Sequence, residues 1–107
     1  MGSALENLEK LLGTPRDGAL LRYSLGLEHL KAGNPERAIE HLREAVARDP
    51  LYSAAWKALG KTLEQSERNA EALDAYRRGI EAAKSKGDRQ AEKEMTVFAR
   101  RLEKQRS

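Results

Sequence analysis

Two histidines, His29 and His41, are the residues of this chain best suited to acid–base catalysis or metal binding. They stand 12 residues apart and form neither a His-x3-His nor a His-Glu-x-x-His arrangement, the spacings that place two imidazoles on one helical face around a zinc ion. We expect His29 to be a partly buried core residue and His41 to lie in solvent on the flank of a helix. The sequence therefore predicts no metal site and no cofactor.

Nucleophilic catalysis has equally little support. The chain contains no cysteine, none of its serines lies in a Gly-x-Ser-x-Gly turn, and it has no glycine-rich phosphate-binding loop. Carboxylates are numerous, but Glu36, Glu40 and Glu44 recur at helical spacing beside basic residues, as in the surface ion pairs of a helix. We therefore expect a protein that is not an enzyme and has no small-molecule substrate.

The composition fits a single small domain made of helices with charged surfaces. Of the 107 residues, 35% are charged and 39% are apolar, and the net charge is +3. The positive excess lies in residues 84–107, which carry eight basic and four acidic side chains. No apolar run approaches the ~20 residues that span a membrane, and no signal peptide is visible. We expect a cytoplasmic protein without membrane insertion.

A period of 34 residues organises the middle of the chain. Residues of the same kind recur at this spacing, including a Leu-Gly pair and an alanine that follows it. Such a period predicts supersecondary units that stack side by side instead of one globular core. The matched pairs are Leu25 and Leu59, Gly26 and Gly60, Ala38 and Ala72, Leu42 and Tyr76, and Ala45 and Gly79.

Helical periodicity and turn residues predict six helices. Ser3 should cap the first helix, Asp17 the second and Asp88 the last. Gly33-Asn34 and Gly87-Asp88 should interrupt the helical pattern. The predicted units are an N-terminal helix over residues 3–12, a first repeat over 19–52, a second repeat over 53–86 and a final helix over 88–105.

Glycine in a helix interior costs roughly 0.5–1 kcal/mol relative to alanine. Gly26 and Gly60 both lie in such positions, which indicates that a neighbouring backbone comes too near for a larger side chain. The large residues Trp56, Leu42 and Tyr76 should fill the remaining space. We expect Trp56 to be buried in the core and not to be an exposed binding residue.

This pattern resembles the tetratricopeptide repeat (TPR) family, whose repeat has Trp, Leu-Gly, Tyr, Ala, Phe and Pro at set positions. The resemblance implies an all-α solenoid of antiparallel helix pairs, with residues 1–107 as a single TPR domain. Residues 3–12 would be a half-repeat and residues 88–105 a capping helix, fitting a third repeat shifted by one residue. The signature residues are Trp56, Leu59, Gly60, Ala72 and Tyr76 in the second repeat, and Leu25, Gly26, Ala38, Leu42 and Pro50 in the first.

In that family the first helices of successive repeats line a groove that holds a peptide or a helix of a partner protein. The resemblance implies a groove that is apolar at one end and mixed but basic at the other, which suits a partner with a hydrophobic anchor followed by acidic residues or a free carboxylate. Alternatively, leucines of the first helix cover the apolar end. The implied positions are Leu20, Tyr23, Leu27 and Leu30 in the first repeat, Ala54, Lys57, Lys61 and Glu64 in the second, and Arg89 and Glu92 in the last helix.

Two alternatives concern the ends of the stack. Self-association, or docking within a larger complex, could use the leucines of the first helix or the Met95–Phe98 face. We expect the protein to be a monomer or a weak homo-oligomer. The basic C-terminal stretch could contact nucleic acid, but it is short and lacks interleaved aromatic residues, so nucleic-acid binding is not expected. That stretch consists of Arg100, Arg101, Lys104 and Arg106.

Overall fold

The computed structural model describes residues 3–106 of the chain, and the side chain of Arg106 lies outside the described part. It contains six α-helices and, over residues 3–106, no strand. The predicted all-α architecture is confirmed. The first helix is shorter than the predicted residues 3–12. The helices are α1 (Ala4–Glu9), α2 (Ala19–Lys31), α3 (Pro35–Arg48), α4 (Ser53–Gln65), α5 (Asn69–Lys86) and α6 (Arg89–Arg106).

The helices form two layers in a stack of 48 × 29 × 18 Å. The main pairs are α2 with α3 and α4 with α5, and α6 packs on α5. Contacts between α2 and α4, and between α4 and α6, join the first helices into one layer. This is the predicted solenoid.

Two helix glycines allow the paired helices to approach closely. A Cβ atom at Gly26 would lie 2.7 Å from Cγ of Leu42, and one at Gly60 would lie 2.6 Å from Cδ1 of Tyr76. The predicted close approach is confirmed, but the group that comes close is a side chain and not the backbone that we expected. A large side chain of the facing helix fills the space, whereas the nearest backbone atom of that helix to a Cβ at Gly26, the carbonyl oxygen of Ala38, lies 3.5 Å away.

The large signature residues form the core between the two layers. Leu42 and Tyr76 are fully buried, and Trp56 is 9% exposed. The indole Nε1 of Trp56 donates a hydrogen bond of 2.8 Å to the carbonyl of Pro50. The bond satisfies the one polar group of the indole and ties the end of the first repeat to the second. Trp56 is therefore a core residue, as expected.

The helix caps were predicted correctly at two positions and incorrectly at a third. The amide of Glu6 donates to Ser3 Oγ at 3.1 Å, and that of Ala91 donates to Asp88 Oδ1 at 3.1 Å. Asp17 does not cap α2, whose N-cap residue is Gly18.

The carboxylate of Asp17 is instead taken up by other donors. It accepts a hydrogen bond from the amide of Gly13 at 2.9 Å and pairs with Arg22 at 2.9 Å and Arg48 at 3.6 Å. The hydrogen bond from Arg22 holds the pKa of Asp17 well below its ordinary value. Two guanidinium groups compete better for this carboxylate than a helix amide does.

The two histidines stack on each other across α2 and α3. Their ring centroids are 5.3 Å apart and their planes differ by 13°. His29 is buried as expected, but the prediction that His41 lies in solvent is wrong. Nε2 of His29 and Nδ1 of His41 are buried without a hydrogen-bond partner. Because Gly26 brings α2 close to α3, the flank of α3 that carries His41 is also covered, and burial lowers the pKa of His41.

Candidate binding groove

The positions predicted for a groove lie on α2, α4 and α6, the helices of one layer. We call these ten positions the groove face. Its four α2 residues are apolar or aromatic, its α4 residues include two lysines, and its α6 residues are one base and one acid. They are Leu20, Tyr23, Leu27, Leu30, Ala54, Lys57, Lys61, Glu64, Arg89 and Glu92.

The α2 end of the groove face is apolar and open. Leu20 is 69% exposed, so the alternative that the first helix covers it is wrong. Leu27 and Leu30 are half-buried. The half-buried ring of Tyr23 packs against Tyr52 with centroids 5.0 Å apart and a tilt of 42°. This end therefore offers an exposed leucine next to a fixed pair of aromatic rings.

The α4 end makes polar contacts to α6. Lys57 Nζ lies 3.1 Å from Glu94 Oε1, so its charge is already neutralised. Glu64 accepts hydrogen bonds of 2.9 Å from the hydroxyl of Tyr76 and from Arg101. These contacts hold α4 and α6 in register and leave Lys61 as the unpaired charge of the α4 end.

Lys61 borders a depression of about 400 Å³ between α4 and α6. Its ammonium lies 5.0 Å from the ring centroid of Phe98, and no described carboxylate forms an ion pair with it. Burial and the hydrogen bond to Glu64 raise the pKa of Tyr76, so its hydroxyl remains a donor. The depression therefore presents one free cation and an aromatic ring. Its lining residues are Lys61, Glu64, Gln65, Tyr76, Phe98 and Arg101.

The two α6 positions stand apart from the others. Arg89 is exposed at the start of the helix, and Glu92 is half-buried. With Lys93 they line a shallow depression of about 350 Å³. The groove face is thus assembled mainly by α2 and α4.

Sequence reasoning missed three residues that shape this surface. Tyr52 supports Tyr23, whereas Phe98 and Arg101 contact Lys61 and Glu64. Each of the latter two contacts joins residues 37 positions apart, slightly more than the repeat length. A search for complementary residues at that longer spacing could have found them.

The Met95–Phe98 face predicted for self-association is packed inside the fold. Met95 is fully buried, and Phe98 is half-buried with its ring 5.4 Å from that of Tyr76. The physical reason is that α6 turns its apolar side onto α5, where Gly79 leaves room for Met95. Met95 is therefore not available for docking, and of Phe98 only the part of the ring that lines the depression beside Lys61 is open.

Within the part of the chain that the structure describes, no three acidic or histidine side chains are grouped so as to hold a metal ion. Among the described helices, none is both long and apolar enough to cross a membrane.

Comparison with known proteins agrees with this architecture. Residues 23–87 match the family described as tetratricopeptide repeat. A TPR repeat-containing protein of Pseudomonas aeruginosa is 50% identical over 96% of this chain and 98% of its own length.

Solved structures show the same fold. A protein of Bordetella parapertussis determined in solution is 43% identical, covers 98% of this chain and 91% of its own, and superposes with a TM-score of 0.80. A tetratricopeptide repeat domain protein of Salinibacter ruber is 34% identical over 81% of this chain and 88% of its own, with a TM-score of 0.76. The chain therefore belongs to the tetratricopeptide repeat family, whose fold is a protein–protein interaction module.

Proposed function

We propose that this protein is a non-enzymatic adaptor that binds a segment of a partner protein along the groove face. The segment carries an apolar anchor that packs against Leu20 and Tyr23. An acidic side chain or a free carboxylate of the same segment meets Lys61. Binding of an extended or helical segment in a groove needs only such anchors at fixed spacing.

The observation that carries this proposal is the pair of unsatisfied groups at the two ends of the face. Leu20 is 69% exposed on the same helix as Tyr23, whose ring packs at a tilt against that of Tyr52. Lys61 has no ion-pair partner among the described residues, although the neighbouring Lys57 and Glu64 both have one. Covering an exposed leucine is worth about 1.5–3 kcal/mol, and a cation above an aromatic ring attracts a carboxylate into a partly desolvated site.

Affinity capture from a cell extract tests the proposal. The groove variant is Leu20→Asp with Lys61→Glu, since reversing Lys57 would oppose Glu94 and disturb the fold. The matched control is Leu51→Asp with Arg37→Glu, which makes the same chemical changes at exposed positions outside the groove face. Circular dichroism checks that both variants remain helical.

We expect wild type and the control variant to retain the same protein and the groove variant to lose it. For a synthetic segment of that protein, fluorescence anisotropy should show binding weakened at least about tenfold by the groove variant. Equal retention by both variants would contradict binding at the groove face while leaving the fold unaffected.

A further inference from the structure

The outward side of α6 carries a row of exposed basic residues. Their spacing of i, i+4, i+8, i+11 and i+15 places them within an arc of about 80° around the helix. All are exposed, and the central Val97 is 60% exposed. We call this row the basic stripe. It consists of four bases, Arg89, Lys93, Arg100 and Lys104, and the apolar Val97, and it shares Arg89 with the groove face.

The four cations of the basic stripe are unpaired. None forms an ion pair with a carboxylate in the described part of the chain, whereas Arg101, one position from Arg100, pairs with Glu64 at 2.9 Å. The opposite side of α6 holds the buried Met95 and Leu102. The helix therefore packs through one side only, and its other side concentrates positive charge around one exposed apolar side chain.

The corresponding side of the neighbouring helix α4 indicates what the basic stripe of α6 can contact. The buried positions of the two helices match at a spacing of 36 residues, since Ala55 corresponds to Ala91 and Leu59 to Met95. This register corrects the predicted shift of one residue. The basic stripe on α6 corresponds to a row on α4 that carries Ser53, Lys57, Lys61 and Glu64.

The residues of that α4 row contact α6 or Asp88, the residue that precedes it. Ser53 Oγ donates to Asp88 at 3.0 Å. Lys57 pairs with Glu94, and Lys61 lies over the ring of Phe98. This side of α4 is therefore where the next helix of the layer packs. That helix, α6, contributes Glu94, then Phe98 four positions later, and then Arg101 three positions after that.

We propose that the basic stripe docks an acidic amphipathic helix of a partner protein, which packs on α6 as α6 packs on α4. The docked helix presents an acid to Lys93, an apolar side chain to Val97 four positions later, and an acid to Arg100 three positions after that. Charge decides the occupant. Two basic stripes facing each other would bring like charges together, whereas an acidic helix brings carboxylates to Lys93 and Arg100, which form no ion pair with a described residue.

The test uses a labelled synthetic helix with Glu, Phe and Glu at positions p, p+4 and p+7 on an alanine-rich background. A second peptide with lysine in place of both glutamates is the control. Fluorescence anisotropy at low salt measures binding to the whole chain. We expect saturable binding of the acidic peptide, weaker binding in high salt, and none of the lysine peptide.

Variants locate the binding. Lys93→Glu with Arg100→Glu should weaken binding of the acidic peptide at least about tenfold, since it turns two attractions into repulsions. Lys10→Glu with Arg37→Glu changes the net charge equally at exposed positions elsewhere and should have little effect. The groove variant, Leu20→Asp with Lys61→Glu, should also bind normally, which separates this proposal from the proposed function.

Three outcomes would overturn the proposal. The first is no saturable binding of the acidic peptide at millimolar protein. The second is binding that survives reversal of Lys93 and Arg100. The third is equally tight binding of a single-stranded oligodeoxynucleotide that the same reversals abolish, because the basic stripe would then be a general polyanion surface.

Discussion

The closest contact between paired helices makes a sharp prediction at Gly60. Replacing glycine by alanine inside a helix normally stabilises it by about 1 kcal/mol. Here the new Cβ would lie 2.6 Å from Cδ1 and 2.9 Å from Cζ of Tyr76. The ring cannot move aside freely, because Tyr76 is fully buried and its hydroxyl donates to Glu64.

Overpacking of a core typically costs about 1–3 kcal/mol, and the fixed ring places Gly60→Ala in the upper part of that range. After subtracting the helix-propensity gain of about 1 kcal/mol, we expect a net loss of about 1–2 kcal/mol. For a domain of this size that lowers the melting temperature by about 4–8 °C per kcal/mol.

Urea denaturation followed by helical circular dichroism and by the fluorescence of Trp56 measures the loss. The pair Glu40→Ala and Glu40→Gly, at an exposed position in the middle of α3, measures the helix propensity difference in the same protein, and the two variants should differ by about 1 kcal/mol. A Gly60→Ala variant as stable as wild type, or more stable, would refute the close approach of α4 and α5.

Three further predictions concern the core, the histidine pair and a helix cap. Trp56→Ala removes the largest core side chain and its bond to Pro50, so it should cost about 3–5 kcal/mol; a shift of only a degree or two in the melting temperature would contradict its burial. Burial lowers the pKa of His41 below its ordinary value of 6.5. As the pH falls, the unfolded chain therefore binds a proton at His41 at a higher pH than the folded chain does, and the free energy of unfolding should decrease below pH 6.5. Urea midpoints at about pH 7.5 and about pH 5.5 should differ less in His41→Gln than in wild type, and equal differences would refute this reasoning. Asp88 receives bonds from Ala91 and Ser53, so Asp88→Ala should lower the melting temperature and Asp88→Asn should restore part of the loss; an unchanged melting temperature for Asp88→Ala would argue against this cap.

The repeat architecture could be predicted because its determinants are local and recur. The two Leu-Gly pairs lie one repeat length apart, so the same need for a small residue between paired helices occurs twice in the sequence. The helix ends at Ser3 and Asp88 were predictable for a similar reason, since a cap depends on residues within three or four positions.

The features that sequence reasoning missed all depend on which side chain competes for a partner. Asp17 has the right position to cap α2, but Arg22 and Arg48 reach its carboxylate from α2 and α3. His41 seemed to face solvent because its own helix has a solvent flank there. In the structure α2 packs on α3 and the two imidazole rings stack, so that His41 is half-buried.

Sequence reasoning predicted that certain charged residues share one side of α4, but it did not predict which of them form ion pairs within the fold. The repeat assigns Lys57, Lys61 and Glu64 to the same side of α4, but it does not reveal that two of them are already paired with α6. That distinction changes the choice of variants, because Lys61 is the one of these three residues that forms no ion pair with a described residue. Ion pairs between long side chains of neighbouring helices have no characteristic spacing in the sequence, so they could not be predicted from it.

Site-specific photocrosslinking in cells tests the central claim most directly. A photoreactive phenylalanine derivative replaces Leu20 on the groove face or, as the control, Leu51 outside it; both positions are exposed. Binding at the groove face predicts a discrete crosslinked protein from position 20 and none from position 51. A crosslink from position 51 alone, or the same adducts from both positions, would contradict it.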